Sequence, residues 1–184
     1  MSLYYKIIGL SRASIIIIPI VSILCGIIFR NIMGIFLGLY ILLCDGMNHY
    51  LKILFKKLYG NKSSYPILGI GERPVGARHC GSFVYENDLE GIPTSYGMPS
   101  GHSQMATLIA TFLIMYLLNK YGVNLYNIIS ISIILFISIC ILYSRFHLKC
   151  HTIQQIIVGG LMGILYGVIG YFIYKQVNEF IITY

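Results

Sequence analysis

Charge is scarce in this sequence. Only 10% of its 184 residues are Asp, Glu, Lys or Arg, against about 25% in a soluble domain, which excludes a surface that faces water on all sides. Acidic residues are the scarcest, six against thirteen Lys and Arg, for a net charge of +7. A basic balance can serve nucleic acid, but there is no Gly-rich phosphate loop, zinc-finger spacing or aromatic RNA-binding motif. The basic residues lie in short polar segments between apolar runs, as membrane topology and anionic headgroups require. Nucleic acid is therefore not an expected partner. No CxxC pair occurs among the five cysteines, so no disulfide framework is indicated. Cys25, Cys44 and Cys140 lie in apolar runs as small hydrophobes. Cys80 and Cys150 lie in polar stretches, where a bridge between them is conceivable, and cysteine usage leaves the redox compartment open.

Apolar sequence is abundant, at 57% of residues. It falls into five runs, at 13–29, roughly 32–55, 104–118, 125–143 and 153–174 or a little beyond, each close to the roughly 20 residues that cross a bilayer core, the third being short. A cleaved signal peptide is the competing reading of the first run, which follows Lys6 and Arg12. No small-x-small cleavage site with a polar start after it is evident, which favours a retained helix. The expected fold is all-α, a polytopic membrane bundle of five or six helices forming one domain over 1–184. A long polar loop at about 56–98 interrupts it and holds Glu72, Glu86, Asp88 and Glu90, four of the six acids.

Counting crossings brings four points to one side of the membrane: the end of the second helix, the start of the third, the end of the fourth and the start of the fifth. Every polar cluster with chemical potential falls at one of these points. Asp45, Asn48, His49 and Lys52 end the second run at helical spacing. They read either as an interfacial helix end with a snorkelling lysine or as a polar wall with Lys52 aimed at an anion. Gly71-Glu72-Arg73-Pro74 follows in the loop. Tyr96-Gly97-Met98-Pro99-Ser100-Gly101-His102-Ser103 then leads into the third run, where Ser100 and Gly101 open a helix whose free N–H groups can bind an oxyanion beside a histidine. The bland alternative is a helix cap with an incidental histidine. Ser144-Arg145-Phe146-His147-Leu148-Lys149-Cys150-His151 joins the fourth run to the fifth. Arg145 can fork onto two phosphate oxygens, and His151 opens the fifth helix with Gln155 one turn later. His79 and His147 read as loop residues. A metal site is the rival use of several histidines, but it needs a carboxylate or cysteine at ligand spacing, and the nearest acids lie in the long loop.

Arg73-Pro74, Pro99-Ser100-Gly101-His102, and Ser144-Arg145 with His151 after five residues together resemble the three signature motifs of the type 2 phosphatidic acid phosphatase superfamily. The finer strings Tyr96-Gly97-Met98-Pro99-Ser100 with His102-Ser103-Gln104, and His151-Thr152 with Gln155, resemble its dolichyldiphosphatase branch. The resemblance implies a membrane lipid phosphatase that uses no metal or other cofactor. In it His151 is the nucleophile that forms a phosphohistidine, and His102 protonates the leaving oxygen. Lys52, Arg73, Arg145, Ser100 and the Gly101 amide hold the phosphoryl oxygens. Cations around two histidines can supply the positioning and charge neutralisation that phosphoryl transfer needs. The implied substrate is a dolichyl- or polyprenyl-type pyrophosphate, with phosphatidic acid or a lysophospholipid as the alternative. A non-catalytic lipid-phosphate-binding scaffold is the alternative of another class.

The sequence departs from the family pattern twice. The family places its lysine seven residues before the arginine, where this chain has Pro66. Asn48–Lys52 resembles the lysine segment, so an insertion of about fourteen residues separates Lys52 from Arg73, with Lys56, Lys57 and Lys62 as possible substitutes. Where the wider superfamily has an aspartate four residues after the nucleophile, this chain has Gln155, as the dolichyldiphosphatase-like branch does. Its carbonyl can accept the imidazole Nδ1–H and fix the tautomer.

Orientation draws conflicting arguments. The motif side carries ten of the thirteen Lys and Arg residues, which points to the cytoplasm. Yet three of those ten are implied phosphate ligands, and Asn61-Lys62-Ser63 is a glycosylation sequon. The resemblance implies an endoplasmic-reticulum-type membrane with a lumenal site.

Overall fold

The computed structural model describes residues 3–60, 69, 71–77, 80 and 95–183, with side chains from Ala13 onward except at Ile182. Asn61, Lys62, Pro66, His79, Glu86, Asp88 and Glu90 lie outside the described residues. Five helices follow in chain order: α1 (Leu3–Ile28), α2 (Ile32–Tyr59), α3 (Gly101–Tyr121), α4 (Leu125–His147) and α5 (Ile153–Thr183). There is no strand among the described residues. α2, α3, α4 and α5 are long and apolar enough to cross a membrane, and Ala13–Ile28 of α1 is a shorter apolar stretch. The chain is thus a multi-pass membrane protein of the all-helical class.

Small residues set the packing. In a bilayer, helices associate through close backbone approach rather than a hydrophobic drive. Gly34 and Gly38 of α2 lie against α1 so closely that a Cβ at Gly38 would come within 2.7 Å of the Pro19 carbonyl oxygen. Ser22 Oγ donates to the Gly34 carbonyl across the same contact at 2.8 Å. Asn31 caps α2, its Oδ1 accepting from Met33 N at 3.1 Å. On α5, Gly159, Gly163 and Gly167 form one face at i, i+4 and i+8. A Cβ at Gly167 would lie 2.7 Å from the Leu108 carbonyl oxygen, and one at Gly159 3.1 Å from Ser100 N. Thr107 Oγ1 completes the seam by donating to the Gly160 carbonyl at 2.8 Å.

The buried core lies among α2, α3 and α5, around Ile41, Leu108, Phe112, Tyr171 and Tyr174. Ring centroids of Phe112 and Tyr174 are 5.7 Å apart at 61°, the edge-on arrangement aromatic quadrupoles prefer. α4 packs on α3 from outside, and most of its Ile and Phe side chains are exposed, as lipid-facing residues are.

Helix ends depart from the apolar runs. α3 begins at Gly101, three residues before its run, because His102, Ser103 and Gln104 are buried in protein. α2 continues to Tyr59 through Lys56 and Lys57, cations that suit the negative end of the helix dipole. The long loop therefore starts four residues later than the sequence suggests.

Candidate active site

The start of α3 is stitched to the start of α5. Ser100 caps α3, its Oγ accepting from Ser103 N at 3.4 Å and from Ser103 Oγ at 2.9 Å. Ser100 N donates to the Gln155 carbonyl at 3.1 Å. The end of α2 joins them through two buried amides: Asn48 Nδ2 donates to Gln104 Oε1 at 2.8 Å, and Gln104 Nε2 to the Cys44 carbonyl at 3.0 Å. Gly101 sits under Asn48, with room of only 3.2 Å for a Cβ. The last turn of α4 closes the group, since the Arg145 carbonyl accepts from Cys150 N at 3.0 Å and His151 N at 3.3 Å. All four points of the crossing count thus meet at one face.

His151 lies two residues before the start of α5 at Ile153, at the opening of the helix where the sequence reading puts it. Thr152 takes the capping place, its Oγ1 accepting from Gln155 N at 3.3 Å and donating to the Gly69 carbonyl at 2.6 Å. The imidazole remains one turn from Gln155. Nδ1 lies 2.9 Å from the Gly97 carbonyl and 3.2 Å from Gln155 Oε1. Both partners are acceptors, so Nδ1 carries the proton and Nε2 presents its lone pair. Arg73 Nη1 meets that lone pair at 3.1 Å.

Arg73 is itself held in a fork. Its Nε donates to the Ser95 carbonyl at 3.0 Å, Nη2 to Ser95 Oγ at 2.7 Å and Nη1 to the Cys150 carbonyl at 3.0 Å. Gln155 Nε2 fixes the same loop, donating to the carbonyls of Gly71 at 3.1 Å and Glu72 at 2.8 Å. A disulfide joins Cys80 to Cys150, beside His151. Gly97 must be glycine, because a Cβ there would come within 2.6 Å of Gln155 Nε2 and 2.8 Å of the Glu72 carbonyl carbon.

Charge converges on the imidazole. His151 is held well below the ordinary histidine range, first by burial, then by the positive charges of Arg73 and Lys52 and by His102, with the Gln155 hydrogen bond opposing. It is therefore neutral at neutral pH. Arg73 is pushed down to about 10 by burial and by the neighbouring Arg145, and stays charged. Arg145 and His102 are buried, while Lys52 is half-buried. Lys56 and Lys57 are exposed, and of the candidate lysines among the described residues it is Lys52 whose charge acts on His151. Asp45, His49 and His147 are exposed, and the His147 ring stacks on Tyr143. Among the described residues no three His, Cys, Asp or Glu side chains gather as metal ligands.

Sequence reasoning missed the Gly97 carbonyl, the Asn48–Gln104 bridge and the Thr152 cap. The nearest local signal is Gly97 itself, a glycine between Tyr96 and Met98 ahead of a helix, and it does not say what its carbonyl meets.

A helical membrane bundle that gathers a buried histidine, Arg73 and Lys52 at one end, with Arg145 beside Arg73, belongs to a class chemically suited to an anionic group. Comparison makes the class specific. The profile described as PAP2 superfamily matches residues 33–180, and the chain belongs to that superfamily. It is 39% identical over 80 residues to dolichyldiphosphatase 1 of Dictyostelium discoideum, covering 42% of this chain and 35% of that protein. It is 34% identical over 97 residues to the dolichyldiphosphatase of Saccharomyces cerevisiae, covering 52% and 40%. It is 29% identical over 75 residues to lipid phosphate phosphatase epsilon 2, chloroplastic, of Arabidopsis thaliana, covering 41% and 26%. The matches thus span between about a quarter and two fifths of these relatives' lengths. No solved structure matches the chain.

Proposed function

We propose that the protein hydrolyses a lipid-linked pyrophosphate of the dolichyl or polyprenyl type to the monophosphate and inorganic phosphate. The observation that carries this reading is the state of His151: its Nδ1 proton is committed to Gly97 and Gln155, and its Nε2 lone pair faces Arg73. Nε2 attacks the terminal phosphorus. The bond from that phosphorus to the bridging oxygen breaks, and His102 donates its proton to the departing lipid monophosphate. Water then attacks the phosphohistidine with His102 as base, releasing phosphate and restoring the imidazole. Arg73, Arg145 and Lys52 neutralise the phosphoryl oxygens, with Ser100 and the Gly101 amide at the positive end of α3. Three cations supply the charge that a metal would otherwise bring, so the reaction is proposed to need no cofactor.

The lipid tail would remain in the bilayer while the headgroup enters at the helix ends. Similarity to two proteins named dolichyldiphosphatase supports the pyrophosphate. Similarity to one named lipid phosphate phosphatase keeps phosphatidic acid and lysophospholipids as the second reading. We place the site on the lumenal face of an endoplasmic-reticulum-type membrane. Supporting this, the Cys80–Cys150 bridge lies on the site's own face, and disulfides persist in oxidising compartments. The test is phosphate release by the purified full chain from polyprenyl pyrophosphate, phosphatidic acid and lysophosphatidic acid, with and without EDTA. Release from the pyrophosphate at the highest kcat/KM, unaffected by EDTA, is expected. Binding without release would establish the scaffold instead.

A further inference from the structure

At the end of the bundle away from His151, three cations come together. The crossing count leaves only Arg30, Lys120 and Lys175 there, and all three line one cavity of about 760 Å³. They arrive from three places: the α1–α2 turn, the last turn of α3 and the extension of α5. Arg30 holds the left-handed backbone conformation, with φ 50°, at the tip of its turn. Lys120 Nζ donates to Tyr116 Oη at 2.9 Å and lies 5.1 Å from the Tyr121 ring centroid. Glu179 is the one acid in the wall, leaving the cavity net positive. Its floor is the buried pair Tyr171 and Tyr174, amphipathic rings of the kind that sit at headgroup depth.

A second cavity adjoins it and has the opposite chemistry. A groove of about 460 Å³ runs along α1, α2 and α3 beside Val21, Cys25, Leu37 and Leu113. The two share Phe29, Asn31 and Met33. A cationic chamber bordering an apolar groove is complementary to one molecule that carries both properties. Inorganic phosphate would leave the groove unused, a nucleotide would not enter it, and a zwitterionic lipid would leave the chamber's charge unmatched.

We propose that this composite cavity binds an anionic glycerophospholipid from the leaflet opposite the candidate active site. Its phosphate lies among Arg30, Lys120 and Lys175, and one acyl chain lies in the groove. The site is separate from the His151 centre and does not depend on what that centre hydrolyses.

Native mass spectrometry of the full chain, purified with equal phosphatidylserine and phosphatidylcholine, tests this. About a tenfold excess of retained phosphatidylserine is expected. Lys120→Gln and Lys175→Gln, at exposed positions, should each reduce that preference, and with Arg30→Gln added it should vanish. Cys25→Phe, which fills the groove, should lower retention although every charge remains. Equal retention of both lipids by the parent, or unchanged phosphatidylserine retention in the charge variants, would overturn the proposal.

Discussion

Arg73 Nη1 lies 3.1 Å from Nε2 of His151 and 3.0 Å from the Cys150 carbonyl oxygen. One guanidinium nitrogen thus divides itself between the proposed nucleophile and the backbone beside it. An entering phosphoryl group offers Nη1 a charged acceptor, which is stronger than either. Transfer of that hydrogen bond to the substrate would release the lone pair at the moment phosphorus arrives. Arg73→Lys keeps the charge but loses the fork to Ser95. It should lower kcat/KM by about 10²-fold, in the range for removing one preorganised oxyanion donor. Steady-state kinetics on folded, monodisperse variant would show this.

The pH profile should carry the same relationship. The imidazole must be neutral to attack, and burial together with Arg73 and Lys52 favours its neutral form. The acid limb of kcat/KM attributable to His151 should therefore lie below the ordinary histidine value of about 6.5. Removing the positive charge with Arg73→Gln should move that limb upward. The same shift bears on stability. A group with a depressed folded pKa binds fewer protons folded than unfolded, so its contribution is complete above about 6.5 and is lost as pH falls. Thermal unfolding at pH 5 and 7.5 should show that loss, and His151→Ala should reduce it.

Gly97→Ala should be more damaging than its single methyl suggests. The new Cβ would meet the Gln155 amide and the Glu72 backbone, displacing the two acceptors that hold the Nδ1 proton. A fall in kcat of at least about tenfold is expected, by analogy with loss of histidine-orienting partners elsewhere. Gln155→Glu keeps an oxygen for His151 but loses the Nε2 donor to the carbonyls of Gly71 and Glu72. It should therefore impair the enzyme as well, and the comparison of kcat in both variants checks whether Gln155 works through its oxygen alone.

Reduction should matter to the Arg73 loop. The Cys80–Cys150 bridge spans a sequence separation of 70 residues, for which chain entropy gives about 4 kcal/mol of stabilisation. Cys80→Ser should lower the unfolding temperature and weaken substrate binding more than it lowers kcat. Thermal scans and a KM-against-kcat comparison, each with and without reductant, would register the difference.

The two histidines should separate by leaving group. A good leaving group needs little protonation, so His102→Ala should slow the proposed pyrophosphate substrate far more than p-nitrophenyl phosphate, while His151→Ala should abolish both. Initial rates on the two substrates are sufficient.

Much of this architecture is legible in the sequence. Five apolar runs gave five helices, and the crossing count alone collected Lys52, His102, Arg145 and His151 at one face. Run lengths misplaced the helix ends because hydropathy does not recognise a polar turn whose partners are other helices, as with His102–Gln104 against Asn48 and Cys44. The conceivable Cys80–Cys150 bridge is formed. What stayed hidden was tertiary: no local pattern shows that the Gly97 carbonyl lies against His151, or that the Gln155 amide reaches back to the Arg73 loop. The choice of Lys52 over Lys56 and Lys57 likewise depended on which face of α2 turns inward.

The most direct measurement is a single-turnover reaction of the full chain with polyprenyl pyrophosphate labelled in its terminal phosphate, quenched in base to preserve phosphohistidine. The label should be found on the peptide containing His151 and be absent in His151→Ala. Label on another residue, or full turnover by His151→Ala without any labelled protein, would contradict a covalent mechanism through His151.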